Sequence, residues 1–183
     1  MKNYDLCIIG AGPGGTAAAI EASSLGVKTA IIERDEIGGV CLNRGCIPTK
    51  AHLKSALLYD ECKRSGEFGI SSKGFDFSLP LIRQRSADIV NRLKGQLDGS
   101  LKARKIDIIK GAAAFSDKAT VEVGGEKISA RAFIIATGSS PRPLGPLKSD
   151  GKRIFYSEEI LGLERMPADI TVIGGGAIGC EFA

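Results

Sequence analysis

A short apolar run from Tyr4 to Ile9 leads into Gly10-Ala11-Gly12-Pro13-Gly14-Gly15, and an alanine-rich stretch follows to Leu25. No other feature of the chain narrows its fold so far. Gly26 closes the predicted helix, and a second apolar run, Lys28 to Ile32, ends on Glu33. This is the pattern of a strand–helix–strand unit of about thirty residues. Each glycine of the turn has its own reason. Gly10 lets the chain reverse sharply, Gly12 lets the backbone approach a pyrophosphate, and Gly15 lets helix and strand pack closely. Pro13 and Gly14 then stand in the first turn of the helix, whose unpaired N–H groups and dipole favour anions. Glu33 at the second strand end can accept both ribose hydroxyls of an adenine dinucleotide, and it would repel a 2′-phosphate. The unit therefore predicts an FAD or NAD site. Arg34 follows directly on the site's flank and, by strand alternation, points away from Glu33.

Composition sets the outer bounds. The chain has 183 residues, of which 43% are hydrophobic and 25% charged, enough apolar matter for a core. Its 24 glycines are nearly twice the usual share of about 7%, so tight backbone turns recur. Twenty-five basic against 21 acidic residues leave +4, spread along the chain rather than blocked, which gives nucleic-acid binding no support. No run approaches the roughly 18 apolar residues of a membrane span, and the N-terminus enters a strand pattern directly, so a cytoplasmic protein is expected. Five cysteines, an odd number, argue against a secreted disulfide framework.

Beyond the first unit, a helical pattern carries Leu53, Ala56, Leu57 and Tyr59, and a second begins at Ser78. The second has one apolar stripe of Ile82, Ile89, Leu93, Leu97 and Leu101, with Arg83, Arg85, Arg92 and Lys94 read as a solvated face. Strands are expected at Ile106–Ile109, at Thr120–Val123 and Lys127–Ser129 as a hairpin about Gly124-Gly125, and at Ala132–Ile135 as a buried strand. The last runs into Ala136-Thr137-Gly138, a candidate for closing over a cofactor. A loop with Pro141, Pro143, Gly145 and Pro146 suggests a boundary, with domains at 1–147 and 148–183. A short helix from Ser157 and a strand at Ile170–Ile173 then precede a second glycine run, Gly174-Gly175-Gly176-Ala177-Ile178-Gly179. Two dinucleotide sites are implied, the second with barely one helical turn after it. The fold class is α/β: a Rossmann-like FAD-binding domain with a parallel sheet and a small antiparallel hairpin layer, followed by the start of a second Rossmann-like domain.

Cys41 and Cys46 lie in Gly38-Gly39-Val40-Cys41-Leu42-Asn43-Arg44-Gly45-Cys46-Ile47-Pro48-Thr49-Lys50, beside the first nucleotide site. In an ideal helix positions five apart have Cα atoms about 8 to 9 Å from each other. A disulfide needs less than about 7 Å, so pairing requires a distorted helix start, which Gly45 and Pro48 permit. Two unrelated buried thiols are one alternative. A metal set of Cys41, Cys46, His52 and Cys62 is another, though it lacks the second short-spaced cysteine pair that such sites want. His52 is the only histidine and is read as partly exposed and passive. Cys7, Cys62 and Cys180 are read as buried, inert thiols.

That segment closely resembles the redox motif of the pyridine nucleotide-disulfide oxidoreductases, above all their dihydrolipoamide-oxidising branch, and the resemblance runs the length of the chain. It implies FAD on the first fingerprint, with Gly38, Gly39 and Val40 lining the pyrophosphate, Ala113 at the adenine end, and Ala136, Thr137 and Gly138 closing over the cofactor. It also implies that Cys41 exchanges with the substrate sulfur, that Cys46 stands against the flavin, and that Lys50 lies near the flavin N5. NAD would occupy the second fingerprint at Gly174, Gly176, Ala177, Ile178 and Gly179. The implied reaction passes electrons from dihydrolipoamide, free or on a lipoyl domain, through a Cys41–Cys46 disulfide and FAD to NAD. The implied partners are a second copy of the chain and a 2-oxoacid dehydrogenase or glycine cleavage complex. A related flavoprotein disulfide reductase of the glutathione or mercuric reductase type is one alternative, and a non-catalytic FAD- or metal-binding module is another. Arg44 and Thr49 depart from the commonest motif, which has Val and Ser there. The family's His-Glu acid/base pair has no counterpart in these residues, so the chain alone is expected to be inactive.

Overall fold

The computed structural model describes residues 2–145 and 147–183. In chain order the elements are β1 (Lys2–Ile9), α1 (Pro13–Ser24), β2 (Thr29–Glu33), α2 (Gly39–Arg44), α3 (Cys46–Lys63), a 3-10 turn (Ser65–Phe68), α4 (Leu79–Ala103), β3 (Asp107–Lys110), β4 (Ala113–Asp117), β5 (Thr120–Val123), β6 (Glu126–Ile135), α5 (Ser157–Ile160) and α6 (Ala177–Phe182). They fall into two compact units, residues 1–43 with 91–140, and 44–90 with 141–183. No described helix is long and apolar enough to cross a membrane.

The first unit is built on one six-stranded sheet in the order β3-β2-β1-β6-β5-β4. Pairs β1–β2, β1–β6 and β2–β3 are parallel, while β4–β5 and β5–β6 are antiparallel. Side chains alternate across it as a pleated strand requires. Cys7, Ala30 and Ile32 join Val121, Val123 and Ile128 in one apolar cluster, and Ile8 and Ile31 join Ala19, Leu101 and Ile106 in another. All five residues of β2 are buried, as expected for a parallel strand covered on both faces. The N–H groups of Asp5 and Leu6 both donate to Lys28 O where β1 meets β2, and Tyr4 shares the apolar cluster of Cys7.

Several expectations are met and several corrected. The hairpin forms about Gly124 (φ +57°) and Gly125 (φ +86°), the left-handed pair that a tight two-residue turn needs. The expected strand at 132–135 is the end of the longer β6 and is not buried there: Ile134 is 37% and Ile135 67% exposed, because β6 pairs with β5 only through Glu126–Ser129. Strand β4, unforeseen, completes a three-stranded antiparallel layer. The basic residues of α4 lie on an exposed or half-buried face, where Lys94 also pairs with Glu36 and an Arg85 Nη donates to Ala51 O at 3.1 Å.

In the second unit Ile170–Ile173 forms no strand. A strand exists only against a neighbour, and Ile170, Val172 and Ile173 stay exposed instead. Pro146, part of the expected boundary loop, lies outside the described residues. Asp150 organises the chain after that loop, accepting the N–H groups of Lys152, Arg153 and Ile154 at 2.8–2.9 Å.

Candidate active site

Gly10 has φ +107°, and a Cβ there would stand 2.3 Å from Ala136 O. Only glycine lets the end of β1 lie against the Ala136-Thr137-Gly138 run, an approach fixed by the Ala136 N–H donating to Ile9 O at 2.8 Å. A Cβ at Gly15 would fall 1.9 Å from Gly10 O, so α1 can sit on the turn only if that position is bare. Gly12 and Gly14, in contrast, open onto space: a Cβ at either meets nothing within 4 Å. Gly12 caps α1 in extended conformation without a side-chain hydrogen bond, so the N–H groups after Pro13 face outward. Two glycines are thus bare for packing and two for access, a cradle that fits a pyrophosphate.

Glu33 is 8% exposed at the end of β2. Its Oε2 accepts the Ala11 N–H and its Oε1 the Asp35 N–H, both at 2.7 Å. From the sequence, the carboxylate has the two ribose hydroxyls to accept. It also ties the glycine turn to the strand end, and each oxygen keeps a lone pair for a hydroxyl. The Gly111 N–H donates to Glu33 O at 2.9 Å, which holds Gly111-Ala112-Ala113 beside the same strand end. Ala113 is half-buried against the sheet core, whereas Arg34, Thr137 and Gly138 are exposed.

The motif segment begins with two left-handed glycines, Gly38 (φ +93°) and Gly39 (φ +59°). The Gly38 N–H donates to Ala11 O at 2.8 Å, and a Cβ at Gly39 would lie 2.8 Å from Gly12 Cα. Gly38 and Gly39 therefore form a wall of the cradle, with Val40 exposed beside them. Cys41 is half-buried on α2. Asn43, on the last turn of α2, was not singled out from the sequence: its Nδ2 donates to Ile37 O at 3.0 Å and to Gly39 O at 2.9 Å. The signal was present, since asparagine is a poor helix former unless its amide is used.

In the other unit, α3 opens at Cys46, whose thiol is exposed. Gly45 has φ −132° and ψ −112°, so the run from Cys41 to Cys46 is not one continuous helix. Thr49 is buried and its hydroxyl donates to Gly45 O at 2.7 Å, a role that the usual serine could also fill. Lys50 pairs with Glu181 and Arg44 with Glu158 at 3.1 Å. His52 is half-buried, and burial, with Arg83 adding to it, lowers its pKa. Cys7 is fully buried, which pushes its thiol up to about 11. The expectation of burial fails for the other two lone cysteines: Cys62 is half-buried and Cys180 exposed, its Sγ donating to Gly175 O at 3.4 Å, because α6 has no strand to pack on. Among the described residues no three His, Cys, Asp or Glu side chains converge on a point.

The second glycine run repeats the first turn. Gly174 has φ +112°, a Cβ at Gly179 would fall 2.0 Å from Gly174 O, and Gly176 caps α6 in the conformation that Gly12 takes before α1.

Comparison with known proteins agrees. The chain is 42% identical over 185 residues to a dihydrolipoyl dehydrogenase of Chlamydia trachomatis, covering 98% of this chain and 40% of that protein. It is 40% identical over 193 residues to the dihydrolipoyl dehydrogenase of Bacillus subtilis, covering 98% and 41%. The chain thus spans about two fifths of the length of the curated relatives it matches. Among solved structures, the Cu(II) complex of the HOCl-induced flavoprotein disulfide reductase RclA from Escherichia coli superposes with a TM-score of 0.78 at 30% identity, covering all of this chain and 39% of that one. LpdA from Mycobacterium tuberculosis gives 0.79 at 25% identity, covering 91% and 38%. The family model described as pyridine nucleotide-disulphide oxidoreductase matches residues 4–183, and the chain belongs to that family.

Proposed function

We propose that this chain is the FAD-binding part, with the beginning of the NAD-binding part, of a flavin-dependent dihydrolipoamide dehydrogenase. The observation that carries the reading is the cradle of Gly12, Gly14 and Glu33 set in one unit with the Gly38–Cys41 wall. The domain division is taken at 1–147 and 148–183, and the compartment as the cytoplasm.

Gly12, Gly14 and the N-terminus of α1 would hold the FAD pyrophosphate, Glu33 the adenosine ribose, and Ala113 the adenine end. Bound there, FAD supplies a two-electron carrier between a thiol pair and a nicotinamide. Cys41 accepts attack by one substrate thiolate on its disulfide with Cys46, which releases the Cys46 thiolate and forms a mixed disulfide. The second substrate thiolate resolves that bond, leaving Cys41 and Cys46 reduced and the substrate oxidised by two electrons. Cys46 would be the thiol that passes the electron pair on to FAD, and Lys50 would supply positive charge that favours its thiolate. Gly174, Gly176 and Gly179 would admit NAD as the final acceptor. The full-length protein would act as a homodimer on lipoyl groups of a 2-oxoacid dehydrogenase or glycine cleavage complex.

Replacing Cys46 by Ser in the full-length flavoprotein tests the reading: turnover of dihydrolipoamide with NAD should vanish while FAD stays bound. Unchanged turnover would sink the assignment. The likeness to RclA favours one second reading, a related reductase for another disulfide or for a metal ion, and rates on lipoamide, glutathione disulfide and mercuric ion decide between the two.

A further inference from the structure

The side chain of Asn43 raises a question of supply and demand. Both Nδ2 protons are spent on carbonyl oxygens, of Ile37 and of Gly39, at 3.0 and 2.9 Å. Turning the amide over would set its oxygen against those two oxygens, so its orientation is determined. Its Oδ1 is then left buried with no donor, alone in this among the side-chain atoms of the described residues. An unmet buried acceptor is costly, and asparagine is a poor choice within a helix. Its tie to Ile37 and Gly39 must outweigh both costs.

Those two carbonyls belong to the turn whose next contacts are with the cradle: Gly38 N–H on Ala11 O, and Gly39 against Gly12. Asn43 itself stands two residues after Cys41 on the same six-residue helix. Its amide is therefore the side-chain bridge between the cradle wall and the turn that bears the sulfur. A thiol's rate depends on the direction and surroundings of its sulfur, and an ångström of displacement can cost a hundredfold.

We propose that Asn43 is a positioning residue for the Cys41 thiol, fixing α2 to the Ile37–Gly39 turn so that the sulfur is held in its reactive place. The inference rests on the proposed role of Cys41 for its purpose, though not for its test. The experiment uses the full-length protein, reduced with dithiol, as parent and as Asn43→Ala. Iodoacetamide modification of Cys41 is followed by peptide mass spectrometry across pH, with Cys62 as internal reference and retained flavin read from the visible spectrum. The expected result is a Cys41 rate changed by about tenfold or more and a displaced pH profile, with the Cys62 rate unchanged. Superimposable Cys41 profiles overturn the proposal. Asn43→Ser, too short to bridge both carbonyls, is read in the same way where the alanine variant does not fold. A displaced profile in a protein that never binds FAD keeps the inference and removes the flavin reading, and an unchanged profile in a flavin-loaded variant does the reverse.

Discussion

The glycine turn occurs twice in this chain and is embedded once. At Gly10–Gly15 and at Gly174–Gly179 the backbone makes the same move: positive φ at the first glycine, an extended glycine cap, and a last glycine whose Cβ would strike the first one's carbonyl. Around the first turn a sheet is complete, and a Cβ at Gly10 would hit Ala136; around the second, Gly174 meets nothing within 4 Å and Ile170–Ile173 is not a strand. The turn is thus a property of a few glycines, whereas the strand before it is a property of its neighbours. An apolar run acquires β structure only when another strand satisfies its N–H and C=O groups.

The largest effect that would test this contrast comes from one added methyl at each turn. Gly15→Ala forces α1 off the Gly10 carbonyl and should cost the first unit about 3 kcal/mol in urea unfolding. Gly179→Ala makes the same local clash and should leave that transition within about 0.5 kcal/mol of the parent. Equal losses would show that the second turn is packed as the first is. Next in size is Glu33→Gln, which removes the charge from two 2.7 Å bonds and sets an amide NH2 against one backbone N–H; about 2 kcal/mol is expected to be lost, and FAD retention with it.

A smaller effect is visible in pH. Burial, with the Asp107 carboxylate accepting the Tyr4 hydroxyl at 2.8 Å, raises the Tyr4 pKa from 10.0 to about 12. A raised pKa means that the folded state binds this proton more tightly. The associated stability is whole below pH 10 and is lost as pH rises toward 12. Unfolding midpoints between these limits should fall more steeply for the parent than for Tyr4→Phe. Smallest is the counterpart in the second unit, where three backbone N–H groups hold the exposed Asp150 carboxyl down at about 2. Carbon-detected NMR should find it ionised well below 3.8, the ordinary value, and Asp150→Ala should alter only the shifts of residues 150–154.

These contrasts explain what could be read from residues alone. The first unit was legible because Gly10 to Glu33 carries its own spacing, local enough for turn, helix and second strand to follow from chemistry within thirty residues. The cysteine motif was legible as a segment, and the structure ends one helix and begins the next about Gly45. Strand β4 was not legible, since Ala113–Asp117 is short and gains its order from pairing with β5. The exposure of Ile134 and Ile135 was hidden for the opposite reason: an apolar run reads as buried whether or not its second neighbour is there. Asn43 was legible only as an asparagine in a helical stretch, since its partners are backbone carbonyls, which have no letter in a sequence.

The place of β1 at the centre of the sheet bears on how the chain is made. Its partner β2 follows within thirty residues, but β6, on its other side, is far along the chain: Asn3 and Ser129, bonded through their side chains, are 126 residues apart. At about 5 to 20 residues per second, a ribosome needs roughly 6 to 25 s to deliver the second partner after the first strand has emerged. Throughout that interval one edge of Tyr4–Ile9, with its backbone N–H and C=O groups, has no mate. The nascent chain thus has a window of several seconds for self-association or chaperone capture, which closes once residue 135 has left the exit tunnel.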